Sequence, residues 1–261
     1  MPPKNTRIYS AIAPIYNEIM KDVDYEDWAD FIDAIIQEHR PEAVSLLELA
    51  CGTGQIAMYL EELECYDITA TDFSEEMLEI GQRIADFREM GIIWKQQDFF
   101  NINLEQQYDV VMALFDSVNY IRKEEEMLRF FENVAKVMHP KSIFIFDFTT
   151  PQHSEVVAEK LNDEGITTDN YRFERRSFYI PTERTHVNEV EIEKLDTSRE
   201  NILYRDREVH RQRIYPFAEM KTLIRRSGLE VEAAYEDFDL VDATGESERI
   251  TMVLRCPKNP S

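Results

Sequence analysis

The stretch Leu46-Leu47-Glu48-Leu49-Ala50-Cys51-Gly52-Thr53-Gly54-Gln55-Ile56-Ala57 constrains this chain more than any other. An apolar run long enough for one buried strand ends in a glycine turn, and a helix-compatible run follows. The chain holds only seven glycines in 261 residues, well under half of ordinary usage. Two of them within three positions therefore point to geometry. Without a Cβ, each can adopt positive φ and let ligand atoms approach the backbone. Glu48 stands just ahead of the turn, where a carboxylate can accept hydrogen bonds from a sugar or an amine. A turn of this kind at the carboxyl end of a strand is where open α/β sheets bind nucleotide-like ligands.

Two nucleotide patterns compete at this turn. Gly52-x-Gly54-x-x-Ala57, with Asp72 further on, satisfies the loose dinucleotide fingerprint. The fuller run Glu48-Leu49-Ala50-Cys51-Gly52-Thr53-Gly54 resembles the first motif of the Rossmann-like S-adenosylmethionine-dependent methyltransferases, with Ala50 where that family most often has glycine. Further matches follow in the family's order. Ile68 to Thr71 is a second strand ending in Asp72-Phe73-Ser74. The resemblance implies that Asp72 binds two ribose hydroxyls and that Phe73 and Met77 lie against the cofactor. Ser74 reads as a helix cap, with Glu75 and Glu76 in the favourable first turn. After Ile92-Ile93-Trp94 comes Gln96-Gln97-Asp98-Phe99; the resemblance assigns Asp98, beside Gln97, to the adenine amino group and Phe99 to the ring. Tyr108 to Phe115 is a fourth strand that delivers Leu114 and Asp116 near the methionine moiety and the methyl group. Lys141 to Phe148 is a fifth, after a helix expected to end near His139-Pro140.

The alternation of strand and helix from 44 to 148 predicts a doubly wound, mostly parallel sheet with helices on both faces. Residues 1–42 read as an N-terminal helical lid, with Ser10 expected to cap a first short helix. Residues 43–165 read as the cofactor-binding core. In 166–215 the periodicity switches to two, which predicts a small antiparallel β insertion of three strands, Tyr171–Ile180, Thr185–Leu195 and Ile202–Ile214. It is expected to cover the substrate or to make a homodimer contact. Its aromatic residues Tyr171, Phe173, Phe178, Tyr179 and Tyr204 are expected to pack onto the main sheet. Residues 216–261 complete the core: a helix ending at the C-cap Gly228, a strand over 229–238, and a last strand over 248–255. The resemblance implies seven strands with the last one antiparallel.

Composition narrows the partners. With 29 Lys and Arg against 52 Asp and Glu, the formal net charge is −23. Nucleic acid binding rests on cationic contacts to phosphate, so no nucleic acid partner is expected. Arginines at 172, 175, 176, 205, 207, 211 and 213 are interleaved with acids and read as a solvated strand surface. No apolar run approaches the ~20 residues of a membrane helix, and Met1-Pro2-Pro3-Lys4-Asn5 lacks a signal-peptide core. Cys51, Cys65 and Cys256 read as reduced thiols. A cytoplasmic location is the expectation.

The resemblance implies a methyltransferase that uses S-adenosylmethionine, acting here on a small-molecule N or O acceptor. The sulfonium already activates the methyl group, so positioning and exclusion of water are the main needs. A base is needed only for an acceptor that arrives protonated. No metal is expected, because the histidines at 39, 139, 153, 186 and 210 form no ligand motif. The resemblance has an early tyrosine contact the cofactor, here Tyr9. Tyr16, Asp116 and His153 are the catalytic candidates. The competing readings are an NAD-dependent oxidoreductase, disfavoured by Asp98 and the antiparallel last strand, and a non-catalytic scaffold of the same fold.

Overall fold

The computed structural model describes residues 8–257; the N-terminal run Met1-Pro2-Pro3-Lys4-Asn5 lies outside them. Seven strands form one sheet: β1 (Ser45–Leu49), β2 (Asp67–Asp72), β3 (Ile93–Gln96), β4 (Tyr108–Ala113), β5 (Met138–Thr149), β10 (Glu230–Glu236) and β11 (Arg249–Arg255). Their order is β10-β11-β5-β4-β1-β2-β3. β1 to β5 run parallel, whereas β11 pairs antiparallel with both β5 and β10. The order reverses between β1 and β4, which opens a crevice at their carboxyl ends.

β1, β4 and β5 are apolar on both faces because both are covered. In β5, Ile143 and Ile145 join the core under α2 (Tyr25–His39), α3 (Gln55–Glu61) and α4 (Glu75–Phe87). Phe144, Phe146 and Phe148 pack with α5 (Glu124–Lys136) and α7 (Phe217–Ser227) on the opposite side. α4 begins as its sequence predicts: Ser74 Oγ accepts from the Met77 amide at 3.2 Å. α7 ends at Gly228 in the left-handed region, φ 85°.

Four features differ from expectation. The helix before β5 stops at Lys136, and Met138-His139-Pro140 already belongs to the strand. Here Tyr108 pairs with Met138, and the Ser142 hydroxyl donates to the Tyr108 carbonyl at 2.6 Å, so pairing with β4 begins before the proline. Ser10 caps no helix; a 3₁₀ turn over Ala13–Ile15 leads into α1 (Tyr16–Ile19) without a side-chain cap. The second sheet has four strands: β6 (Asp163–Ile166), β7 (Tyr171–Ile180), β8 (Thr185–Leu195) and β9 (Ile202–Arg213), with β6 added at the β7 edge after α6 (Pro151–Val157). Its aromatic residues do not pack onto the main sheet. Phe173 is buried against Ile12, Ile15, Met77 and Val190, whereas Phe178 and Tyr204 are exposed.

Candidate active site

Three left-handed residues carry the chain from β1 to α3: Ala50 (φ 53°), Gly52 (φ 58°) and Gly54 (φ 70°). Ala50 stands in a conformation that costs a residue with a Cβ about 1–2 kcal/mol. The turn folds away from the strand end and leaves a cavity of about 400 Å³ over the carboxyl ends of β1, β2 and β4. The Gly52 amide donates to Asp72 Oδ2 at 2.8 Å, and the Ser74 amide donates to Asp72 Oδ1 at 2.8 Å. One carboxylate thus ties the glycine turn to the end of β2. Burial raises the Asp72 carboxyl above its ordinary value, and the two amide bonds oppose that.

Glu48, 3% exposed, forms part of the cavity wall, and its Oε2 has no hydrogen-bond partner. Burial, and then the nearby Asp72 charge, pushes its pKa up to about 8. Tyr25 and Ser117 line the same cavity, and Tyr25 Oη and Ser117 Oγ are also buried without a partner. Buried polar groups are normally satisfied, and three unpartnered ones on residues that line one cavity single out this wall as a candidate ligand site.

Eleven of the twelve sequence-derived cofactor residues line this cavity: Tyr9, Glu48, Ala50, Gly52, Asp72, Phe73, Met77, Gln97, Asp98, Phe99 and Leu114. Asp98 and Gln97 are themselves anchored. Asp98 Oδ1 accepts from the Phe100 amide at 2.9 Å, and Gln97 Oε1 accepts from the Asn103 amide at 2.8 Å. Gly54 is the exception. A Cβ there would lie 2.3 Å from the ring of Trp94, which wedges between the glycine turn and Gly81 of α4. Gly54 makes room for packing.

The catalytic candidates separate. Tyr16 lines the cavity. Asp116 sits at φ 48° beyond β4, and both its oxygens are engaged: Oδ1 with Arg249 at 2.9 Å and Oδ2 with Gln212 at 2.5 Å. Arg249 also pairs with Asp147, whose pKa burial raises to about 6 against that pairing, and lies 5.3 Å from the Trp28 ring. Asp116 therefore belongs to an ion cluster behind the cavity. His153 lies on α6, outside the cavity, with Nδ1 3.7 Å from Glu248; burial lowers its pKa to about 4.

Sequence reasoning missed a buried polar line from β9. Glu208, His210 and Gln212 alternate on its inner face and are buried. Polar residues at a spacing of two on the covered side of a strand are the signal that was available, and the surrounding arginines obscured it.

Residues 46–141 match the family model described as a methyltransferase domain. The protein YqeM of Bacillus subtilis (strain 168) is 28% identical over 247 residues, covering 93% of this chain and 95% of its own. Among solved structures, an S-adenosylmethionine-dependent methyltransferase from Clostridium acetobutylicum ATCC 824 superposes with a TM-score of 0.77 at 24% identity, covering 95% of this chain and 98% of that one. The sugar N-methyltransferase KedS8 from Streptoalloteichus sp. ATCC 53650 superposes with a TM-score of 0.72 at 20% identity, covering 90% of each chain. The fold is Rossmann-like, and its crevice lies where such sheets bind nucleotide-type ligands. The match marks residues 46–141 as similar to a methyltransferase domain, and the solved structures share the Rossmann-like fold.

Proposed function

We propose that this chain is a methyltransferase whose cofactor is S-adenosylmethionine, and that it methylates the nitrogen of a small-molecule amine. One observation carries this reading: the cavity wall holds three acidic side chains, Glu48, Asp72 and Asp98, and among the described residues no Lys, Arg or His lines it. Such a wall favours cations, a sulfonium and an ammonium among them, and disfavours phosphate or carboxylate acceptors. The likeness to a sugar N-methyltransferase supports an amine over a hydroxyl.

The residues present fit the cofactor. Gly52 and Ala50 leave the turn open, Asp72 is presented to a ribose, and Asp98 with Phe99 is presented to an adenine. The unpartnered Glu48 oxygen suits the methionine ammonium. When bound, S-adenosylmethionine supplies an electrophilic methyl group. This chain's own part is to hold the acceptor in line with that methyl and keep water out. Tyr9 and Tyr16, from the N-terminal segment, form one wall of the cavity and act as its lid. The three cysteines are free thiols, which suits a cytoplasmic enzyme.

The test is calorimetric titration with S-adenosylhomocysteine, with NAD in parallel, followed by transfer of a labelled methyl from S-adenosylmethionine to a panel of primary amines, amino sugars, phenols and carboxylates. We expect binding of S-adenosylhomocysteine alone and labelling of amines. Labelling confined to phenols or carboxylates overturns the amine reading. Binding of NAD alone overturns the cofactor.

A further inference from the structure

An unbroken line of four side chains runs from β9 into the cavity. Tyr9 Oη lies 2.7 Å from Tyr120 Oη, Tyr120 Oη lies 3.1 Å from His210 Nδ1, and His210 Nε2 lies 3.0 Å from Glu208 Oε2. Both tyrosines line the cavity. His210 and Glu208 are 4% and 6% exposed. The Tyr9 and His210 rings meet edge to face at 4.8 Å. None of the four belongs to the ion cluster around Arg249.

The line has a direction, and Glu208 sets it. Its two oxygens accept the backbone amides of Tyr9 at 2.8 Å, Ala11 at 2.5 Å and Ile12 at 3.2 Å. Burial pushes this carboxyl up, but His210 and those amides outweigh burial and hold it below its ordinary value. An ionised carboxylate offers no proton, so His210 must donate from Nε2. With its hydrogen on Nε2, the imidazole presents the Nδ1 lone pair to Tyr120. Tyr120 donates to Nδ1, and Tyr9 donates to Tyr120. Every hydrogen points inward, and the last oxygen, on Tyr9, turns a lone pair to the cavity.

We propose that this line removes the proton of the acceptor ammonium: Tyr9 is the catalytic residue that receives it, and Tyr120, His210 and Glu208 are positioning residues that pass it on and hold it. The proposal rests on the amine reading above. The acceptor N–H bond breaks as its proton goes to the Tyr9 oxygen. The Tyr9 proton moves to Tyr120, and the Tyr120 proton moves to His210 Nδ1. The phenols end neutral, and the imidazolium is paired with the Glu208 carboxylate. The nitrogen lone pair so freed forms the N–C bond as the methyl C–S bond breaks, with that electron pair left on sulfur. Burial raises both phenols well above their ordinary pKa, so neither rests as a phenolate; they hand the proton on. The groups facing His210 are Glu208 on its own strand, Tyr120 from the turn after β4, Tyr9 from the N-terminal segment, and the uncharged Asn188 opposite on β8. Asp116 and Asp72 are the further charges that act on Tyr9. Because Glu208 also holds the backbone of Tyr9 to Ile12, the line is complete only when that segment is seated.

The first measurement needs no acceptor. The full chain is labelled with ¹⁵N-histidine and read by long-range ¹H–¹⁵N correlation with S-adenosylhomocysteine added, and His210→Gln assigns the signal. The expected result is a hydrogen on Nε2 and a lone pair on Nδ1. Hydrogen on Nδ1, or a cationic ring, points the line outward and overturns the proposal. The second measurement is the pH profile of methyl transfer to an amine accepted in the screen, using Tyr120→Phe, which keeps the ring and breaks the line. We expect kcat/KM to fall about 100-fold at pH 7. That loss should shrink to a few-fold near pH 9.5, where the free amine approaches abundance on its own, given alkylammonium pKa values near 10. An equal loss at every pH means a structural role and sinks the relay while the amine reading stands. Failure of every amine in the screen sinks both, whatever the tautomer.

Discussion

Glu48 concentrates the electrostatics of the site in one residue. Its folded-state pKa of about 8 lies well above the ordinary glutamate value of ~4.3. Between those values the ligand-free folded chain keeps a proton that the unfolded chain has lost. Glu48 therefore favours the folded state at full strength below about pH 4.3, and that contribution is lost as pH rises through about 8. Glu48→Gln removes this slope. Calorimetric melts should show the variant gaining on wild type between pH 5 and pH 8.5 by on the order of a few kcal/mol. The same substitution should weaken S-adenosylmethionine, because the amide cannot ionise when the ligand's cationic groups bind beside it. Parallel melting curves at both pH values would show that Glu48 is ionised in the free protein. The carboxylate's presence was legible in the sequence. Its missing partner was not, because that depends on Asp72 being held by Gly52 and Ser74 from a different strand end.

At the scale of elements, the glycine turn illustrates how far spacing carries. Gly52 and Gly54 look equivalent in the motif, and the structure divides their work. Gly52 borders the cavity, whereas Gly54 and Gly81 clear the ring of Trp94 between α3, β3 and α4. Trp94 lies 40 residues beyond Gly54, and no local pattern announces the contact. A Cβ on Gly81 would lie 2.6 Å from the Trp94 ring and 2.7 Å from the Thr53 carbonyl. Gly81→Ala should therefore destabilise by about 1–3 kcal/mol through overpacking, measured by urea unfolding. In combination with Trp94→Leu the losses should fail to add by at least ~0.5 kcal/mol, since the smaller side chain relieves the clash with the ring and leaves only the one with the Thr53 carbonyl. Strict additivity would remove Trp94 as the cause. The strands themselves were readable because burial imposes a period on them. β7 and β8 fall on their expected limits, and β9 within one residue of its expected end. β6 escaped, since Asp163-Glu164-Gly165-Ile166 has no apolar alternation and is held by pairing with β7.

For the molecule as a whole, the two sheets meet where charge is buried. Gln212 of β9 donates to Asp116 beyond β4, and Asp116 pairs with Arg249 of β11, which also holds Asp147 of β5. This joint was invisible in the sequence because its four members come from four separate segments. Away from it, the surface carries most of a net charge of −23. Self-repulsion of that kind opposes the compact state and is screened by salt, whereas buried pairs are screened much less. Going from about 10 mM to 150 mM salt shortens the Debye length from ~30 Å to ~8 Å. The melting temperature should therefore rise over that range, while affinity for a cationic ligand falls because the field of the acidic cavity is screened. The two trends have opposite signs and separate causes. A melting temperature that drops with salt would mean that surface ion pairs such as Arg205–Glu193 and Arg207–Glu189 outweigh the excess of carboxylates, and the acidity would then have to be explained by what the protein binds.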